Sequence, residues 1–208
     1  MKKDLIFVGG GGHYKDLLYL CEYDKYTNWN NIGFLDDNEN LKDRIGPINK
    51  LPWLLKRYKQ LHYCIAINSS TIRRDIDLSY GNINRSANLI HETAVIGTDC
   101  VYQNGITMGP YSILTTQVGV GTHTHINSSV SINQNSKIGN YCTLSPGARV
   151  CGDVKMEDAV SVGAGAVIIN LIEVGSNSIL GAGTVVVKDI PKNSTVVGVP
   201  GKIIKTYI

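Results

Sequence analysis

Four consecutive glycines, Gly9 to Gly12, follow an apolar run at residues 5–8 and lead into His13, Tyr14 and Lys15. Backbone N–H groups at a helix start carry partial positive charge and bind phosphate, so such a turn can hold an anion. A full dinucleotide fingerprint would want a third spaced glycine where Tyr14 stands, so the pattern is partial. A tight strand-to-helix turn with no ligand would look the same. A second chemical feature is the acidic pair Asp36–Asp37, which ends the run at residues 31–35. Carboxylates at the C-terminal end of a parallel strand accept hydrogen bonds from a base or ribose, in the crevice where open α/β sheets bind ligands. A domain of three or four strands is small for a complete dinucleotide, and a mononucleotide or nucleotide-sugar fits better.

The elements that must position these groups are short. Residues 5–8 read as a buried parallel strand. Residues 13–23 carry Leu17, Leu18, Leu20 and Cys21 at helical spacing. Further strands are expected at 31–35 and 63–67 and a helix at 70–78, with connections containing Pro47 and Pro52 between them. Residues 1–83 thus read as a small Rossmann-like α/β domain, and 79–88 as the crossing into the rest of the chain.

From Ile90 to Val186 every sixth residue is apolar, seventeen positions without a slip. With 43% hydrophobic residues, chance gives that run in one register with probability on the order of 10⁻⁶. A second track, from Ala94 to Thr184, holds mostly small or β-branched residues. Glycine often follows the large residue (Gly97, Gly109, Gly121, Gly139), where the backbone is expected to be closely approached. A hexapeptide period is the signature of a β-solenoid, three hexads to a triangular coil. Residues 84–208 read as this second domain, and the tail beyond Val186 as a cap on the last coil.

Composition excludes several classes. The net charge is +3, without a basic run, so nucleic acid is not implied. The five cysteines form no CxxC pair and read as buried thiols, neither disulfides nor zinc ligands; no metal is expected. Nothing resembles a signal peptide or reaches the length of a membrane span, so a cytoplasmic protein is expected.

Several stretches together resemble one family: Gly10-Gly11-Gly12-His13-Tyr14-Lys15, Leu35-Asp36-Asp37, residues 65–68 with Ile72-Arg73-Arg74, Ser145-Pro146-Gly147-Ala148 and residues 196–202. The chain resembles the bacterial sugar O/N-acyltransferases of the NeuD/PglD type over nearly its whole length. The resemblance implies a left-handed parallel β-helix, a homotrimer, acetyl-CoA between subunits and a nucleotide-sugar on the front domain. It assigns Asp36 and Asp37 to base and ribose, the turn at Gly10, Gly11 and Gly12 with Lys15 and Asn68 to the rest of the substrate site, and His13 to the sugar. It puts Thr143, Gly152, Ala164 and Ala182 along the cofactor.

The family's general base, a histidine, falls on Gln134, flanked by Asn133 and Asn135; a second family histidine falls on Thr143. Glutamine cannot take a proton. Three readings stay open. An amine nucleophile, partly unprotonated near neutral pH, attacks without the usual base while Gln134 and Asn133 orient it, since a missing base forfeits roughly 10²–10⁴-fold. Alternatively the base has moved to His125, one coil from Thr143 with His123 nearby, which would admit a hydroxyl acceptor. Or the chain is a non-catalytic nucleotide-sugar-binding scaffold.

Overall fold

The computed structural model describes residues 2–80 and 85–207. The expected boundary between residues 83 and 84 lies outside the described residues. The N-terminal part contains β1 (Lys3–Val8), α1 (Gly12–Glu22), β2 (Trp29–Leu35), β3 (Arg44–Gly46), α2 (Leu51–Arg57), β4 (His62–Ile65) and α3 (Ser70–Tyr80). Its four strands are parallel, in the order β3-β2-β1-β4. The central strand is fully buried from Leu5 to Val8. Its side chains alternate between two cores, as a strand's must. Leu5 and Phe7 pack with Leu17 and Leu20 of α1, and Ile6 and Val8 with α2 and Ile76 of α3.

Two elements depart from the sequence reading. The expected connection at Pro47 and Pro52 contains β3 and the helix α2. Pro52 sits in the first turn of α2, where a missing N–H breaks no intrahelical bond, so it starts the helix within the segment expected to be a connection. The crossing also does more than connect. Ala87 N–H donates to Tyr63 O at 2.7 Å, and Tyr63 N–H to Arg85 O at 3.1 Å, so the crossing chain pairs with β4.

From residue 89 onward the chain is a parallel β-solenoid of about six turns. Seventeen two-residue strands run from Leu89–Ile90 to Val185–Val186 and stack at 18-residue intervals on three faces. Face 1 begins with Leu89–Ile90, face 2 with Val95–Ile96 and face 3 with Val101–Tyr102. The large-residue track fills the axis, only Ile96 and Tyr102 of the first coil being partly exposed. The small-residue track is buried apart from Cys100. Cys100 and Cys151 are half-buried, so the expectation of five buried thiols holds for Cys21, Cys64 and Cys142.

Every sixth residue from Asp99 to Gly183 has positive φ. This left-handed position lies three residues after the large one, not at the glycines that follow it directly. Those glycines answer to a different constraint: a Cβ at Gly97 would strike Thr115 O, and one at Gly109 the Asn127–Ser128 backbone of the next coil. After the last coil, a strand at Ser194–Val197 continues face 1 in parallel and a final strand at Lys202–Thr206 adds to it antiparallel.

Candidate functional site

The loops after β1, β2 and β4 meet at one edge of the front sheet. Gly10 N–H donates to Asp36 Oδ2 at 2.7 Å, and Asp36 Oδ1 accepts from Asn38 N–H at 2.8 Å. Asp36 therefore braces the glycine turn. Asp37 is exposed, and its Oδ1 accepts from Ile48 N–H at 2.9 Å. Asn68 is exposed too, its carbonyl accepting from Arg73 Nη1 at 2.9 Å. The four glycines divide into two pairs. A Cβ on Gly9 would strike Ala66 O and one on Gly10 the Phe34 ring, whereas at Gly11 or Gly12 it would meet nothing. Packing explains the first pair only. The second borders open space at the start of α1, which has no side-chain cap and therefore presents orphan N–H donors there.

Beside this helix start a cleft of about 340 Å³ lies between α1 and the edge joining faces 1 and 2. His13, Lys15 and Asp16 line one wall and Pro110, Asn127 and Pro146 the other. Asn127 Nδ2 donates to Leu144 O at 2.8 Å, leaving its Oδ1 as an acceptor. His13 Nε2 lies 3.0 Å from His125 Nδ1, and His13 Nδ1 lies 3.5 Å from Asp16 Oδ2. Burial lowers the basicity of His13 below the ordinary histidine range despite Asp16, which opposes it. His125, only 1% exposed, is held well below that range by burial and by the positive Arg73. His125 Nε2 has no hydrogen-bond partner.

The N-terminal part and the solenoid are joined by Arg73, a residue of α3 with 0% exposure. Its Nε donates to His123 O at 3.0 Å and its Nη1 to Ile67 O at 2.8 Å and Asn68 O. Its Nη2 donates to Tyr141 O at 2.7 Å, Cys142 O at 3.0 Å and Thr143 Oγ1 at 2.9 Å. Burial lowers its pKa to about 10, which leaves it charged at neutral pH. Alongside, Asp77 Oδ1 pairs with His123 Nε2 at 3.1 Å and its Oδ2 accepts from Tyr141 OH at 2.7 Å. Burial alone would raise the Asp77 carboxyl, but His123 and the tyrosine hydroxyls outweigh it and hold the carboxyl below its usual range.

The residues expected along the acyl donor fall in three places. Gln134 and Gly152 meet on the edge between faces 2 and 3, where a Cβ on Gly152 would collide with the Gln134 amide. Asn133 lies on the same edge, half-buried. Ala164 and Ala182 are exposed on the edge between faces 1 and 2, at 18-residue steps above Pro110, Ser128 and Pro146. Thr143 is 9% exposed, with its hydroxyl bonded to Arg73 in the domain interface. His125 pairs in register with Thr143, one coil away as expected, and faces the front domain. Sequence reasoning missed Asp16 and Asn127. Asp16 carried one signal, its i,i+3 spacing from His13 on a helix; Asn127 carried none.

No family model matches the chain. Among curated relatives, a serine acetyltransferase of Buchnera aphidicola subsp. Schizaphis graminum is 33% identical over 154 residues, covering 74% of this chain and 48% of the relative. A 2,3,4,5-tetrahydropyridine-2,6-dicarboxylate N-acetyltransferase of Clostridium perfringens is 47% identical over 51 residues, covering 24% of this chain and 22% of the relative. The chain spans less than half the length of the curated relatives it matches. Some solved structures match over nearly the whole chain. The acetyltransferase domain of PglB from Neisseria gonorrhoeae superposes with a TM-score of 0.71 at 26% identity, covering 98% of this chain and 100% of that one. The chain shares that domain's fold over nearly its whole length, in keeping with its resemblance to the NeuD/PglD type. PerB from Caulobacter crescentus, solved with CoA and GDP-perosamine, superposes on this chain with a TM-score of 0.87 at 24% identity, covering 96% of each. Against the pattern that the resemblance implies, Gln134 and Thr143 stand where histidines were expected. Among the described residues no cluster of His, Cys, Asp or Glu could hold a metal, and no helix is long and apolar enough to cross a membrane.

Proposed function

We propose that the chain is an acetyl-CoA-dependent N-acetyltransferase acting on a nucleotide-linked amino sugar in surface-glycan synthesis in the cytoplasm. In this reading the front domain is Rossmann-like and the solenoid a left-handed β-helix. The observation that carries it is the continuity of the open α1 start, the cleft and the edge above it. A nucleotide diphosphate at Gly11 and Gly12 would direct its sugar into the cleft. Above the cleft, Gly147, Gly165 and Gly183 stack in the left-handed conformation, with no close contact where a Cβ would stand. Beside Ala164 and Ala182 they form a low strip on which an extended pantetheine amide chain could pair with backbone.

The division of the site supports a homotrimer. Gln134 and Gly152 lie on one edge of face 2 and the cleft on the other, so in one protomer they are apart. In its first two coils face 2 also presents apolar side chains outward, with Val95 52% and Ile113 38% exposed, before Ser131 and the exposed Arg149 further along. Three prisms burying that face would set the cleft of one protomer against Gln134 of the next.

The acceptor in this reading is an amine. Both nitrogens of His13 face partners, and His125 is sealed beneath it, so neither offers the cleft the free imidazole that a hydroxyl nucleophile would need. UDP- and dTDP-amino sugars are the first candidates, and GDP-amino sugars stand beside them because PerB was solved with GDP-perosamine. Incubation with acetyl-CoA and a panel of these amino sugars, following product mass and thiol release, tests the proposal. Turnover of at least one is expected; ligand binding without turnover of any would favour the scaffold.

A further inference from the structure

We propose, resting on the acetyltransferase reading above, that Asp16 takes the proton from the acylated amine and is held for that task by His13, which it faces at 3.5 Å and which is itself hydrogen-bonded to His125. Asp16 lines the cleft and its side chain is 75% exposed, so an incoming amine can reach it and a bound proton can leave to water. His13 and His125 are positioning residues.

The direction of these contacts follows from the donors available. His125 Nε2 is buried with no partner. A proton there would be a buried donor without an acceptor, so the favoured tautomer carries its proton on Nδ1. His125 Nδ1–H then donates to His13 Nε2 across 3.0 Å. With Nε2 accepting, neutral His13 carries its proton on Nδ1, the atom facing Asp16 Oδ2. The opposite tautomer would set a lone pair against the carboxylate. Arg73 favours the same arrangement, since it opposes protonation of both histidines. It also disfavours His125 as the base, because its imidazolium would be buried beside Arg73.

The chemistry balances without further reactants. The amine lone pair attacks the thioester carbonyl carbon, the C–S bond breaks, and the thiolate leaves with its electron pair. The extra N–H proton passes to Asp16 and from there to water or the departing thiolate. The His13 N–H orients the carboxylate for that step.

Two measurements test this on the full-length protein. Long-range nitrogen–proton NMR on isotope-labelled histidine should find His13 and His125 both protonated at Nδ1 at neutral pH. An Nε2–H form of either would overturn this arrangement. Asp16→Asn should lower kcat by about 10²-fold or more, with KM for acetyl-CoA and thermal stability unchanged, and Asp16→Glu should restore part of the rate. His125→Leu should lower kcat and mix the His13 tautomers. Asp16→Asn at the wild-type rate would overturn the proposal while leaving the acetyltransferase reading intact. A wild-type protein inactive toward every amine would overturn both.

Discussion

Gly11 and Gly12 give the front site its sharpest residue-level test. A Cβ at Gly12 meets nothing, whereas one at Gly10 runs into Phe34. Gly12→Val should leave thermal unfolding nearly unchanged and weaken nucleotide-sugar binding at least tenfold by calorimetry. Gly10→Ala should instead lower the melting temperature, because overpacking costs about 1–3 kcal/mol. Gln134→Ala should reduce kcat by about tenfold if its amide orients the amine, measured at saturating acetyl-CoA. At this scale the sequence was partly legible. The glycine turn and the acidic pair do meet at one crevice, as their places after successive parallel strands required. Their individual tasks were not readable, since Asp36 faces the turn and only coordinates show which N–H it caps. Asp16 and Asn127 acquire meaning from a cleft formed by residues a hundred positions apart.

Among the elements, the solenoid was the most legible, because one side chain in six must fill a narrow axis and any slip would expose the whole track. Helix α2 was not, because seven residues with a proline in the first turn carry almost no periodicity. The interface of α3 with the solenoid was equally hidden: Arg73 looks like any arginine until its donors are followed to carbonyls of the N-terminal part and of the solenoid. Arg73→Leu would leave those buried acceptors without donors and should cost about 3–5 kcal/mol, read by urea unfolding. The same interface predicts acid sensitivity. His13 and His125 have folded-state values below the unfolded histidine value near 6.5, so the unfolded chain binds more protons as pH falls below it. Their stabilisation is complete above that pH and is lost on acidification. Asp77, also depressed, adds a further loss below about pH 4. The melting temperature should therefore fall steadily from pH 7 to 4, and His125→Leu should flatten the upper part of that decline.

At the scale of the whole molecule, the two halves of the proposed site lie on opposite edges of face 2, and only an assembly can join them. If the proposed trimer forms through that face, Ile113→Asp puts a charge on it and should yield monomers by light scattering, with transferase activity lost and nucleotide-sugar binding retained by the intact N-terminal part. The central claim is acetyl transfer to an amine by a solenoid whose expected histidine is a glutamine. The most direct measurement gives the protein acetyl-CoA and a matched pair of nucleotide sugars that differ in one group, amine in one and hydroxyl in the other, and follows thiol release with product mass. The account predicts a mass gain of one acetyl group on the amino sugar and negligible transfer to its hydroxyl counterpart. Equal or faster acetylation of the hydroxyl sugar would contradict it.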